Sequence, residues 1–255
     1  MILAVDIGNT NIVIGCVDGN KISFVERVST DISKTELEYV VEFKALLDLY
    51  CIDRADIDGG IISSVVPPLN HAITSAFNKF FDVRPLLVGP GVKTGLNILM
   101  DNPASVGADL IVDAVAGLHD YGAPLIMIDM GTATTLSVLD DKKNYIGGMI
   151  LPGVRVSLDS LVNRTSQLPR IALEAPHKVV GRNTIDCMKS GMIFGQAAQM
   201  DGLIDRIWDE LGYKTKVVAT GGLAPSIIPA CKHDIIIDNE LTLKGLKYIY
   251  DKNQQ

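Results

Sequence analysis

The chain has 255 residues, of which 47% are hydrophobic and 21% are charged, and its formal net charge is −7. This balance is typical of a globular protein and excludes a largely disordered chain. The acidic charge argues against a surface that binds nucleic acid or an anionic membrane, since both require a basic face. A small phosphorylated ligand is compatible with the acidic charge, because backbone amides and a metal ion hold phosphates without excess positive charge.

The sequence predicts neither a signal peptide nor a membrane span. Asp6 interrupts the first apolar stretch too early for a leader, and no apolar run approaches the roughly 20 residues that cross a bilayer. The cysteines form no CxxC pair, which predicts reduced thiols and a cytoplasmic location and leaves an isolated disulfide open. They are Cys16, Cys51, Cys187 and Cys231. The four histidines lack the spacing of zinc ligands.

In chain order, the first half predicts three consecutive strands and then alternating helices and strands. The pattern predicts strands at 2–6, 11–17, 21–28, 60–66 and 84–88 and helices at 34–50 and 69–81. Asp18-Gly19-Asn20 predicts the turn before the third strand. Residues 89–103 are rich in glycine and proline and predict a long surface loop, after which a helix begins at Ser105.

The second half repeats the opening pattern. "AVDIGNTNIVIGC" at 4–16 and "LIMIDMGTATTLSVLD" at 125–140 both place an Asp, a Gly and polar residues between two apolar runs. Further strands are predicted at 145–150, 216–220 and 235–237, and helices from about 223 and from 241. We therefore expect two α/β domains related by duplication, at 1–115 and 116–255, with a cleft between them.

The first acidic turn, residues 6–11, predicts a phosphate site on a hairpin. The glycine leads into a second strand and not into a helix, so anion binding must come from the amides and side chains of the turn itself. Asp6 suits a hydrated Mg²⁺, Gly8 lets a phosphate approach the backbone, and Asn9, Thr10 and Asn11 offer donors. An ordinary hairpin turn is the alternative. The second acidic turn, residues 129–135, repeats the pattern and favours a nucleotide clamp.

A glycine-pair turn, "TGGLA" at 220–224, joins a predicted strand to a predicted helix. Gly221 and Gly222 let the backbone approach a flat ligand such as adenine or ribose, although a plain strand-to-helix turn would look the same. The two acidic turns and this turn together resemble the actin, hexokinase and Hsp70 superfamily. That resemblance implies two ribonuclease-H-like domains with two phosphate loops and an adenosine loop.

Eight co-linear motifs are similar to those of the type III pantothenate kinase family. They are "DIGNTN", "SSVVPP", "GPGVKTGLNI", "NPASVGAD", "DMGTATT", "GGMILPG", "GRNT" and "TGGLA", and they span almost the whole chain. The resemblance implies a homodimer that phosphorylates pantothenate with ATP at the first step of coenzyme A synthesis. It also implies Mg²⁺ and a monovalent cation, K⁺ or NH₄⁺, as cofactors.

The resemblance further implies a role for single residues. Asp109 corresponds to the general base, although a first-turn carboxylate also complements the positive end of a helix capped by Ser105. Asp129 corresponds to the ligand of the monovalent cation, or else makes a local turn at a strand end. Thr132 corresponds to a nucleotide contact, and Thr184 to a substrate contact or an N-cap of the next helix.

The acceptor half of the implied site departs from the family pattern. Gly107 and Ala108 match it, and Gly107 either admits pantothenate or packs near a helix start. Met100 stands where the family usually has Tyr, and Leu110 stands where it usually has Arg. Three explanations stay open: weaker pantothenate binding, a less anionic alcohol as substrate, or a nucleotide-binding paralogue without activity. A basic residue elsewhere would also restore the charge, the candidates being Arg155, Arg164 and Lys178.

Overall fold

The computed structural model describes residues 1–19 and 21–254, and it is mixed α/β with two sheets. Asn20, the last residue of the predicted Asp18-Gly19-Asn20 turn, lies outside the described residues. The chain forms two compact units. Unit 1 comprises Met1–Gly95, Asn102–Ala116 and the segment from Leu241 onward, and unit 2 comprises Leu96–Asp101 and Gly117–Glu240.

The helices and strands follow the order expected from the sequence. They are β1 Ile2–Ile7, β2 Asn11–Asp18, β3 Lys21–Ser29, α1 Glu36–Leu49, β4 Gly59–Ser64, α2 Pro67–Phe81, β5 Leu86–Leu87, β6 Asn97–Ile98, α3 Ala108–Asp120, β7 Leu125–Met130, β8 Ala133–Leu139, β9 Asn144–Pro152, α4 Val154–Asn163, α5 Thr184–Leu211, β10 Lys216–Thr220, α6 Ala224–Ile227, β11 Ile236–Ile237 and α7 Leu241–Gln254.

The sheet of unit 1 has the strand order β3-β2-β1-β4-β5. β1 pairs antiparallel with β2 and parallel with β4. Side chains alternate between the two faces of a strand, so Leu3 and Val5 pack with α1 and α2, whereas Ile2 and Ala4 pack with α3 and α7. Because both faces of β1 are buried, its carboxyl end is held in a fixed position.

The sheet of unit 2 repeats this topology in the order β11-β10-β7-β8-β9-β6. β7 takes the place of β1, since it pairs antiparallel with β8 and parallel with β10. Ile126, Ile128 and Met130 of β7 share an apolar cluster with Ile193 and Met200 of α5. The expected duplication is therefore visible in the strand order of both sheets.

The structure also differs from the predicted elements at particular places. α3 begins at Ala108 and not at Ser105, because Pro103–Ser105 forms a separate 3₁₀ turn. The predicted loop at 89–103 contains β6, which pairs with β9 of unit 2. The helix expected from about residue 223 is one short turn, Ala224–Ile227, followed by a 3₁₀ turn.

The compact units differ from the predicted domain boundaries in two segments. Leu96–Asp101 belongs to unit 2 because β6 extends its sheet. The segment from Leu241 onward belongs to unit 1, because Leu243 and Leu246 of α7 are buried with Ile2 and Ala4 of β1. Within the described residues, no helix has the length and apolar character that crossing a membrane requires.

Candidate active site

The first acidic turn closes tightly after β1. The Gly8 amide donates to the Asn11 carbonyl at 3.0 Å. A Cβ on Gly8 would lie only 2.9 Å from that same oxygen, so a larger residue would force the turn to shift. Asn9 and Thr10 are exposed beyond this bond, and Asp6 is half-buried at the end of the strand. The hydrogen bond thus fixes the backbone of the turn, while the polar side chains of Asn9 and Thr10 are exposed to solvent.

Residues that directly follow β3 and β4 support the backbone of the first acidic turn. The Thr30 hydroxyl donates to the Gly8 carbonyl at 2.6 Å, and the Thr30 amide donates to the Thr10 carbonyl at 3.0 Å. The Val65 amide donates to the Ile7 carbonyl at 3.0 Å. These bonds occupy the carbonyl groups on the protein side, which fixes the turn without using the exposed side chains.

The second acidic turn has a different support. The Gly131 amide donates to the Ala133 carbonyl, and the Gly153 amide donates to the Thr132 carbonyl at 3.1 Å. A Cβ on Gly153 would collide with the Thr132 carbonyl and would lie 2.6 Å from the Gly131 carbonyl oxygen. The Thr132 side chain is exposed, and Asp129 is half-buried at the end of β7. Gly153 therefore lets the backbone before α4 pack directly on this turn.

The glycine-pair turn packs directly on the second acidic turn. Gly221 has φ +93°, and a Cβ there would lie 2.5 Å from Asp129 Oδ1 and 2.6 Å from the Met130 amide nitrogen. Apart from Gly222 itself and its two chain neighbours, no heavy atom of the described residues lies within 4 Å of the position that a Cβ on Gly222 would take. The two glycines thus do different things, because Gly221 faces protein and Gly222 faces open space.

Asp109 lies in the first turn of α3 as a half-buried carboxylate. Its Oδ1 accepts the Leu110 amide at 2.8 Å, and burial raises its pKa above the ordinary value of 3.8. A Cβ on Gly107 would collide with the same oxygen. A half-buried carboxylate with a raised pKa is a suitable proton acceptor.

The alternative interpretation of Asp109 was a carboxylate in the first turn of a helix that Ser105 caps. It is correct for the carboxylate and wrong for the cap. Ser105 does not cap α3, because it lies in the preceding 3₁₀ turn and its hydroxyl donates to the Asn102 carbonyl at 2.7 Å. Asp109 nevertheless accepts an amide of the first turn, as a carboxylate at a helix start does. Ala108 packs against the apolar cluster of unit 1 and Leu110 is half-buried.

The remaining predicted residues lie in unit 2. Met100 is half-buried, and its Sδ lies 3.6 Å from the position of a Cβ on Gly147. Thr184 is the exposed first residue of α5. The N-cap is Asn183, whose Oδ1 accepts the Asp186 amide at 2.9 Å, so the expectation that Thr184 caps this helix was wrong. Arg155, Arg164 and Lys178 are exposed.

Comparison with known proteins decides the family. The family model described as type III pantothenate kinase matches residues 2–206. The chain belongs to the type III pantothenate kinase family. A relative of that name from Geobacillus kaustophilus is 47% identical over 100% of this chain and 99% of its own length. Another of that name, from Exiguobacterium, is 47% identical over the whole of both chains. Family membership makes the protein a kinase, which uses ATP.

Solved structures identify the fold as that of the actin-like ATPases. Component A of the (R)-2-hydroxyglutaryl-CoA dehydratase from Acidaminococcus fermentans aligns with a TM-score of 0.58 at 15% identity, over 100% of this chain and 99% of that one. The activator of the 2-hydroxyisocaproyl-CoA dehydratase from Clostridium difficile aligns with a TM-score of 0.55 at 13% identity, over 99% and 94%. The expected fold class is confirmed.

The residues of this family member fit a hydrated magnesium ion better than an all-protein metal cage. Among the described residues, no group of three His, Cys, Asp or Glu side chains could hold a metal ion together. Mg²⁺ keeps several waters and binds through one or two carboxylates and the phosphates of its nucleotide. The half-buried carboxylate of Asp6, at the end of β1 beside the exposed Asn9 and Thr10, fits this chemistry.

Two residues of the site were not identified from the sequence. Thr30 follows β3, about twenty residues after the turn that it supports, and no motif marks it. Gly153 ends the motif "GGMILPG", which indicated similarity to the family but not a contact with the second acidic turn. Both supporting contacts join segments distant in sequence, so local patterns do not reveal them.

Proposed function

We propose that this chain transfers the γ-phosphoryl group of ATP to the primary alcohol of pantothenate, as the first step of coenzyme A synthesis. The observation that supports this most is similarity over the whole chain to relatives named type III pantothenate kinase. The alcohol oxygen forms a bond to the γ-phosphorus, the bond from phosphorus to the β–γ bridging oxygen breaks, and ADP leaves. The alcohol proton passes to Asp109.

In this proposal Asp109 orients the alcohol more than it activates it. Phosphoryl transfer has a loose transition state, so positioning and charge stabilisation provide most of the rate. The half-burial of Asp109 and the bond from the Leu110 amide support this role, because they fix the carboxylate at the start of α3. Gly107, Ala108, Leu110, Met100 and Thr184 complete the proposed acceptor site.

The nucleotide is held by the turns described above. Asp6 would hold Mg²⁺, which supplies positive charge at the phosphates, while Gly8, Asn9, Thr10 and Asn11 bind phosphate oxygens. Thr132 of the second acidic turn contacts the nucleotide as well. Gly222 approaches the adenosine while Gly221 holds the glycine-pair turn against Asp129, and the open space at Gly222 supports this assignment.

A monovalent cation, a dimer and a location complete the proposal. Asp129 would bind K⁺ or NH₄⁺, since carboxylate oxygens suit hard cations. A homodimer is supported by exposed apolar side chains of unit 2, where Ile150 is 78% and Val180 is 80% exposed. Four free cysteines support a cytoplasmic location. Turnover measured in K⁺, NH₄⁺ or Na⁺ tests the monovalent cation, and the mass of the protein in solution tests the homodimer.

Coupled turnover with ATP, Mg²⁺ and K⁺, measured with and without pantothenate, tests the function. We expect ADP to form only when pantothenate is present. If the nucleotide binds but no pantothenate-dependent ADP appears at millimolar substrate, the proposal is overturned.

If the enzyme is active, the double substitution Met100→Tyr with Leu110→Arg should tighten pantothenate binding. The expected gain is up to about 10- to 150-fold for one charge-assisted bond. Unchanged binding would mean that another residue supplies the charge.

A further inference from the structure

Strand β4 places a serine beside Asp6. β4 pairs in parallel with β1, and the register sets Ser63 opposite Asp6. Neighbouring strands lie about 4.8 Å apart, so the two side chains are close enough to interact when they share a face. Ser63 belongs to the motif "SSVVPP", which has no role in the function proposed above.

The two side chains do share a face of the sheet. Ile61 of β4 and Ala4 of β1 lie in the same apolar cluster, on the side of α3 and α7. Side chains alternate along a strand. Ser63, two residues after Ile61, and Asp6, two residues after Ala4, therefore point to this same side.

The Ser63 hydroxyl is buried without a partner. The residue is 0% exposed, and among the described residues its Oγ has no hydrogen-bond partner. A buried hydroxyl without a partner destabilises a protein, so alanine would be the better residue for stability alone. A role with a bound ligand would account for a hydroxyl at this position.

We propose that Ser63 is a positioning residue for the metal–nucleotide site. Its hydroxyl donates to the Asp6 carboxylate when the metal–nucleotide complex is bound, and this bond orients the carboxylate. Hydrogen bonds from outside a metal's own ligands commonly set the direction of a ligating carboxylate and affect metal affinity. The inference rests on the function proposed above, because it assumes that Asp6 binds the metal of the nucleotide.

Binding of Mn²⁺, used in place of Mg²⁺, tests this role without turnover. Electron paramagnetic resonance measures free Mn²⁺ in mixtures of the protein with the non-hydrolysable nucleotide ADPNP. We expect Ser63→Ala to weaken Mn²⁺ binding in this ternary complex by about 10-fold. Its melting temperature should equal that of the wild type or exceed it, because no hydrogen bond of the protein is lost. In turnover, the KM for Mg²⁺ should rise while kcat at saturating Mg²⁺ stays unchanged.

Ser64 provides a matched control one residue further along β4. It pairs with Ile7 of β1 and so points to the opposite face of the sheet. Its Oγ accepts the Val66 amide at 3.1 Å, which is a hydrogen bond of the protein itself. Ser64→Ala should therefore lower the melting temperature and leave Mn²⁺ affinity unchanged, the reverse of the result expected for Ser63→Ala.

The outcomes separate the two proposals. Wild-type Mn²⁺ affinity in Ser63→Ala overturns the role of Ser63, and so does an equal loss of affinity in both variants. If the wild type phosphorylates pantothenate in either case, the proposed function stands. If the wild-type protein does not bind Mn²⁺ with ADPNP, the role of Ser63 falls, whereas the proposed function is decided by pantothenate-dependent formation of ADP.

Discussion

The first acidic turn joins β1 to β2 through four residues, between the paired Ile7 and Ile12, whereas the second joins β7 to β8 through three, between Met130 and Thr134. The first is supported by the hydroxyl of Thr30 in addition to the backbone amides of Thr30 and Val65. The second is supported by backbone that approaches closely at Gly153 and Gly221. One duplicated hairpin has thus acquired two kinds of support. Loss of the Thr30 hydroxyl should weaken the first turn, and a side chain added at Gly153 or Gly221 should displace the second.

The largest effect on activity is expected at Asp109, which lies outside both acidic turns. The smaller effects of changes in the turns are compared with it. Asp109→Asn removes the proton acceptor, and loss of a general base typically lowers kcat by roughly 10²- to 10⁴-fold. Nucleotide affinity, measured by calorimetry, should stay unchanged because the turns are untouched. Turnover equal to that of the wild type would remove Asp109 from its proposed role.

The raised pKa of Asp109 predicts that both stability and kcat/KM depend on pH. Burial raises the pKa of Asp109 above that of an unfolded aspartate. Its contribution to stability is therefore full below the unfolded pKa and is lost as pH rises through the folded pKa. Asp109→Asn should melt at or above the wild-type temperature at neutral pH, and the difference should vanish in acid. The acid limb of kcat/KM should also lie above the ordinary aspartate value of 3.8; a limb at or below that value would contradict the raised pKa.

The glycine pair tests the tight packing of unit 2. Gly221→Ala puts a Cβ against the Met130 backbone at a positive φ, where strain costs on the order of 1 to 3 kcal/mol, so both melting temperature and nucleotide affinity should fall. Gly222→Ala meets open space and should change only nucleotide affinity. Equal melting temperatures for the two variants would show that Gly221 is not held as tightly as described.

The glycines of the two acidic turns sharpen the comparison further. Gly8→Ala should lower the free energy of unfolding by about 1 kcal/mol, because its Cβ would press on the Asn11 carbonyl. On Gly131 a Cβ would lie 3.6 Å from its nearest neighbours, which is ordinary contact, so Gly131→Ala should stay within about 0.5 kcal/mol of the wild type. Chemical denaturation measures the free energy of unfolding of both variants. Equal losses would contradict the tighter packing around Gly8 than around Gly131.

An effect similar in size to that of Gly8→Ala is expected at the side chain that supports the first turn. Thr30→Val keeps the shape and removes the bond to the Gly8 carbonyl, which should cost about 1 kcal/mol of stability and modestly weaken nucleotide binding. Thr30→Ser keeps the hydroxyl and serves as the control. If both variants behave alike, the hydroxyl of Thr30 does not support the turn.

The sequence by itself determined the features that short stretches encode. The acidic turns follow from an Asp, a Gly and polar residues between two apolar runs, and the structure places strands on both sides of each turn. The strand at 216–220 was predicted at its observed ends because its continuous apolar run and the following glycine pair are local patterns. The repeat of the opening pattern likewise predicted the shared order of strands.

Only the tertiary structure decided which distant segments meet. Nothing local places α7 in unit 1, because an apolar helix face can pack on many sheets and the choice depends on the shape of the partner. The support of Thr30 for Gly8, the contact of Gly221 with Asp129 and the buried hydroxyl of Ser63 beside Asp6 depend in the same way on strands brought together by folding. A sequence pattern records what a residue prefers nearby, whereas packing decides which remote neighbour it receives.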